Sequence, residues 1–199
     1  MKQLLALWMA LLVTTVAFSQ PGSCGINFSD ASQKRPGYLA LDTFLNQFQL
    51  ALMLEHQNAP IDQSYTARII GTRNGKWQHL LITGTYNSGK KKYEVTGAYT
   101  DADQDWANSQ FNALCAAGAF NLNPLLLNQN LMIKVKDTTV IQNAITDEGT
   151  DYITICKQGQ RKVFSVSGLN VLLEFTNKYA LENKSLLQFK EIKTFIEAR

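Results

Sequence analysis

The chain has 199 residues, of which 45% are apolar and 18% charged. That is length and apolar content enough for one domain with a buried core, and too apolar for a disordered chain. A formal charge of +3 excludes a surface that holds nucleic acid by net charge alone.

Residues 1–19, MKQLLALWMALLVTTVAFS, have the layout of a secretory signal peptide. Lys2 is the positive start, Leu4 to Phe18 the apolar run, and Ala17 and Ser19 the small residues that a signal peptidase reads, which places the cut before Gln20. Losing Lys2 lowers the charge from +3 by one, to +2. The expected address is periplasmic or extracellular. Cys24, directly after Ser23, is a candidate for lipid attachment, although Pro21 stands where such signals carry an aliphatic residue. A lipid there would anchor the protein to a membrane, and no later stretch is apolar enough to span one. Residues 20–37 read as a flexible lead-in to a single α+β domain over 38–199.

Tyr38 to Gln57 carries apolar residues at helical spacing (Leu41, Leu45, Phe48, Leu52), so the pattern predicts an N-terminal helix, ended by Asn58-Ala59-Pro60. From Ser64 to Tyr99 the period changes to two. Asn74-Gly75 is a strong type I′ hairpin signal, because both central residues of that turn need positive φ. Closing it as a two-residue loop pairs Arg73 with Lys76, Ile69 with Leu80 and Ala67 with Ile82. Ser88-Gly89 is expected to close the next hairpin, pairing Ile82 with Val95 and Gly84 with Tyr93. The result is an antiparallel sheet built on a three-stranded meander over about 64–99. One face carries Tyr65, Ala67, Ile69, Leu80, Ile82, Tyr93 and Val95, the expected core side. The other is mixed, with Arg68, Ile70, Trp77, His79, Leu81 and Glu94.

A middle helix is expected within Thr100–Phe120, capped by Asp101 or Asp103. A strand at 131–136, a further stretch at 138–145, and a hairpin around Gln158-Gly159 follow. C-terminal helices complete the chain, the last opening on a capping box of Ser185 and Gln188.

The chemistry-bearing motifs are few. Asp101, Asp103 and Asp105 open like a calcium loop, but Trp106 replaces the required glycine and Asn112 the bidentate glutamate. Gly84 to Lys90 nearly spells a P-loop, but Lys91 takes the hydroxyl position and strand follows where a helix is needed. No cofactor or metal motif is present. Three cysteines follow the leader, and Cys115 with Cys156 is the candidate disulfide. The mixed face supplies the candidate recognition residues, Arg68, Trp77, His79 and Glu94, because such residue types concentrate at binding sites. The expectation is an exported, non-catalytic module that binds a protein or small-molecule ligand in the cell envelope. The competing expectations are a secreted hydrolase using His79 with a nearby carboxylate, Glu94 or Asp42, and a structural envelope protein without ligand.

Overall fold

The computed structural model describes residues 24–28, 41–57, 64–90, 92–127, 131–135, 138–142 and 149–198. The leader and most of the lead-in lie outside these residues.

In chain order the elements are α1 (Asp42–Leu45), β1 (Leu50–Gln57), β2 (Ser64–Arg73), β3 (Lys76–Asn87), β4 (Lys92–Asp101), α2 (Gln104–Ala116), α3 (Pro124–Leu127), β5 (Leu131–Val135), β6 (Thr138–Gln142), β7 (Thr150–Lys157), β8 (Gln160–Ser167), α4 (Leu169–Lys178) and α5 (Lys184–Glu197). β5 and β6 pair with each other, and the other six strands form one antiparallel sheet in the order β4-β3-β2-β1-β7-β8. The α+β class and the meander are therefore as the sequence pattern predicts.

The first hairpin has the predicted register, Arg73 opposite Lys76 and Ile69 opposite Leu80. Asn74 and Gly75 have φ of 52° and 75°, the two positive values a type I′ turn requires. The same device recurs at β7–β8, where Gln158 and Gly159 have φ of 51° and 80°. The second hairpin differs from expectation. Asn87 pairs with Lys92, so the loop has four residues, 88–91, and Val95 lies opposite Gly84 instead of Ile82. Gly89 does not take the positive φ that a two-residue loop would need there, and Asn87 Oδ1 instead accepts the Lys90 amide at 3.1 Å. A shift of two residues keeps every side chain on its predicted face.

The long N-terminal helix is not formed. Among the described residues of that stretch, Asp42–Leu45 alone is helical, and Leu50–Gln57 is a strand. β1 pairs with β2 on one side and β7 on the other, and Leu50 to Glu55 are all buried. A strand buried on both faces reads as an unbroken apolar run, which periodicity alone does not separate from a buried helix.

Each face of the sheet has its own core. Leu50, Leu52, Leu54, Ile70, Trp77, Ile153, Ile155, Phe164 and Val166 pack with α2, α4 and α5. Ala51, Met53, Ala67, Ile69, Leu80, Ile82 and Cys156 pack with Leu41, Leu45 and Phe48 of the α1 turn. Two glycines let that turn lie close. Phe48 sits against Gly71, and Phe44 against Gly97. The Tyr99 hydroxyl donates to Gln47 Oε1 at 2.6 Å, and Arg161 holds Asp42 and Asn46.

Helix α2 is capped by Asp103, whose carboxylate accepts the Trp106 amide at 3.0 Å. The capping box expected on α5 is absent. Asn183 caps that helix through the Leu186 amide, while Ser185 Oγ accepts the Asn123 amide and Gln188 Nε2 donates to the Ala117 carbonyl. Both side chains are committed to the neighbouring 117–123 segment.

The disulfide joins Cys24 to Cys115, with Cα atoms 5.4 Å apart. Cys156 is a buried free thiol, so the Cys115–Cys156 pairing is corrected. Cys156 lies on the α1 side of the sheet and Cys115 on the α2 side, with the sheet between them. Cys24 Sγ is consumed by the bridge, which leaves no sulfur for the thioether that lipid attachment requires.

Candidate functional site

The register of β2, β3 and β4 arranges their helix-side residues in a grid. Successive rungs are Ser64–Thr85–Glu94, Thr66–Thr83–Thr96, Arg68–Leu81–Ala98 and Ile70–His79–Thr100, followed by Thr72–Trp77. The helices cover one end of it. Ile70, Thr72 and Trp77 are buried, Arg68 and His79 are partly buried, and Leu81, Thr83, Thr85, Glu94, Thr96, Ala98 and Thr100 are exposed.

Trp77 therefore leaves the candidate recognition set. It is 2% exposed, with its ring 5.3 Å from Phe111 and 5.9 Å from Phe195, and its indole N–H donates to Asn108 Oδ1 at 2.8 Å. Gln104 clamps its backbone, accepting the Trp77 N–H at 2.7 Å and donating to its carbonyl at 2.9 Å. This is a core anchor for α2 and α5.

Arg68 and His79 are diagonal neighbours on adjacent rungs. Burial, and then the Arg68 charge, hold the His79 imidazole below its ordinary value of 6.5, so it is neutral near pH 7. Glu94 shares the face but sits six residues along β3 from His79, since it pairs with Thr85. At roughly 3.3 Å per residue the two are about 20 Å apart. Glu94 accepts from Asn87 Nδ2 at 3.0 Å and from Lys90 Nζ at 2.7 Å, and so serves the hairpin tip. Asp42 lies on the opposite face and binds Arg161. The pairing of His79 with either carboxylate is thus corrected. Leu81, 39% exposed in the middle of the grid, is a surface leucine that no local sequence signal marks as a site.

A second constellation had no sequence signal. His56 Nδ1 and Asp151 Oδ1 are 2.7 Å apart, and Lys193 Nζ lies 2.7 Å from Asp151 Oδ2. Asp151 is buried and His56 half-exposed. The three side chains come from β1, β7 and α5, and their meeting depends on the β1–β7 register across 95 positions. The buried carboxylate orients an imidazole, the supporting half of an acid–base pair, and it also ties α5 to the sheet. Among the described residues no group of three or more His, Cys, Asp or Glu side chains is placed to hold a metal ion.

No family model, no curated protein and no solved structure matches the chain.

Proposed function

We propose that this is an exported, non-catalytic binding module that holds a protein partner in the cell envelope on the uncovered part of the helix-side sheet face. The observation that carries this reading is the open grid itself. Arg68, Leu81, Thr83, Thr96 and Ala98 form a contiguous surface that combines a guanidinium, an exposed leucine and hydroxyls. Protein interfaces combine polar and apolar groups in this way. The threonine rung is pre-ordered, with the Thr83 and Thr96 hydroxyls 3.0 Å apart, so little ordering cost falls on association. Export is read from residues 1–19, and a disulfide between Cys24 and Cys115 suits an oxidising compartment.

The test is a photo-crosslinking amino acid at position 81, compared with one at position 187, an exposed leucine on α5. In the native host a discrete protein adduct is expected from position 81 and not from 187, and Arg68→Glu should suppress it. If positions 81, 83 and 96 all give no adduct, the reading fails and a structural protein without ligand takes its place.

A further inference from the structure

Residues 24–28 are held by attachments of three kinds. Cys24 is bonded to Cys115 in the last turn of α2. The Asn27 carbonyl accepts from Lys162 Nζ of β8 at 2.8 Å. Cys24, Ile26 and Phe28 pack, partly buried, against the helix-side core. Lys162 is 1% exposed, with its ammonium 5.4 Å from the Phe164 ring centroid. An ammonium withdrawn from water needs polar partners, and the short segment supplies one from its backbone. The segment thus roofs a buried charge as well as an apolar surface.

We propose that the Cys24–Cys115 bridge is a redox latch: a dithiol opens it and frees residues 24–28 from the end of α2 and from Lys162, while the six-stranded domain stays folded. The apolar packing of the segment is modest, since Cys24, Ile26 and Phe28 are each only partly buried against the core. Ordering a short chain costs free energy at every residue. The bridge offsets this by keeping the segment at high effective concentration beside its site. Both cysteines are partly exposed, and the latch opens through attack of a thiolate on the bond between them. A thiolate of the dithiol attacks one sulfur and forms a mixed disulfide, and the other cysteine leaves as a thiolate that takes up a proton. The second thiol of the reductant then displaces the attached cysteine. The protein gains two electrons and two protons as two thiols, and the reductant departs as a cyclic disulfide. Cys156 is buried on the other face of the sheet, so it does not intercept the exchange.

The experiment is hydrogen exchange read by mass spectrometry on the full mature chain, oxidised, reduced with dithiothreitol, and reoxidised. Exchange across residues 24–28 should rise about tenfold or more on reduction. Exchange in Leu50–Leu54 and Ile69–Leu80 should hold constant, and reoxidation should restore protection. Unchanged exchange at 24–28 would mean that packing alone holds the segment. Loss of protection across the sheet would mean that the bridge is a global staple. Either result overturns the latch. Cys24→Ser, measured without reductant, should reproduce the reduced pattern.

Discussion

Adding one methyl group at each of two glycines tests how the α1 turn lies on the sheet. An alanine Cβ at Gly71 would fall against the Leu50 carbonyl oxygen, closer than non-bonded atoms approach, and 2.8 Å from Phe48 Cδ1 and 3.1 Å from Ala51 Cα. Two of those neighbours are backbone of β1, which is fixed by pairing on both sides. At Gly97 the same Cβ would meet Phe44 Cε1 at 2.9 Å and Leu80 Cδ1 at 3.0 Å. Both are side-chain ends that rotate. Overpacking against a rigid neighbour costs about 1–3 kcal/mol, and replacing glycine by alanine returns about 0.4–1 kcal/mol through the unfolded state. Gly71→Ala should therefore lose about 2 kcal/mol net, because backbone cannot yield cheaply. Gly97→Ala should fall within about 0.5 kcal/mol of the parent. The assay is urea unfolding followed by tryptophan fluorescence. With a slope of about 2 kcal/mol per molar urea, Gly71→Ala should lower the midpoint by about 1 M. A neutral Gly71→Ala, or a Gly97→Ala that costs as much, would refute the close seating of Phe48 and the β1 backbone on Gly71.

Two further perturbations probe the helix-side face. His79 titrates below its unfolded value of 6.5, so the unfolded chain takes up the proton first on acidification. Stability should fall as pH drops from about 6.5 and level off below the folded pKa; His79→Gln should remove that component, and identical pH profiles for the two proteins would refute the assignment. Trp77→Ala should cost about 3–5 kcal/mol by thermal or urea unfolding, whereas Trp77→Phe should cost less and leave crosslinking at position 81 intact. A near-neutral Trp77→Ala would contradict its role as the anchor of α2 and α5.

The sequence signals that succeeded were local and steric. Asn74-Gly75 specifies a turn type, and the turn type specifies the register that puts Arg68 and His79 on adjacent rungs. Ser88-Gly89 resembles it in composition, but the chain there closes through the Asn87 side chain, a four-residue solution that composition does not reveal. That difference moves Glu94 from Thr83 to Thr85 on the ladder, from four to six residues away from His79. Strand alternation puts Trp77 on the correct face, yet a register says which way a side chain points and not what covers it. What covers it is Phe111 and Phe195, the latter more than a hundred positions away. Leu50–Leu54 shows the same limit. Its apolar run fits helix or strand, and the choice is made by β7 far along the chain. The joining of Cys24 to Cys115, and of His56 to Asp151, likewise depends on tertiary proximity that spacing cannot supply.

The strand order has a consequence for how the sheet is made. β1 to β4 follow one another and pair as neighbours, so a chain presented N-terminus first can close that half as soon as β4 is available. β1 then keeps one bare edge until β7 arrives, since its far-side partners lie about a hundred positions later. Non-local pairings of this kind are slow to form. In the interval, Leu50-Ala51-Leu52-Met53-Leu54 is an uncharged edge that can template the wrong neighbour. The seam between β1 and β7 is thus the joint of the six-stranded sheet that closes across the longest stretch of chain.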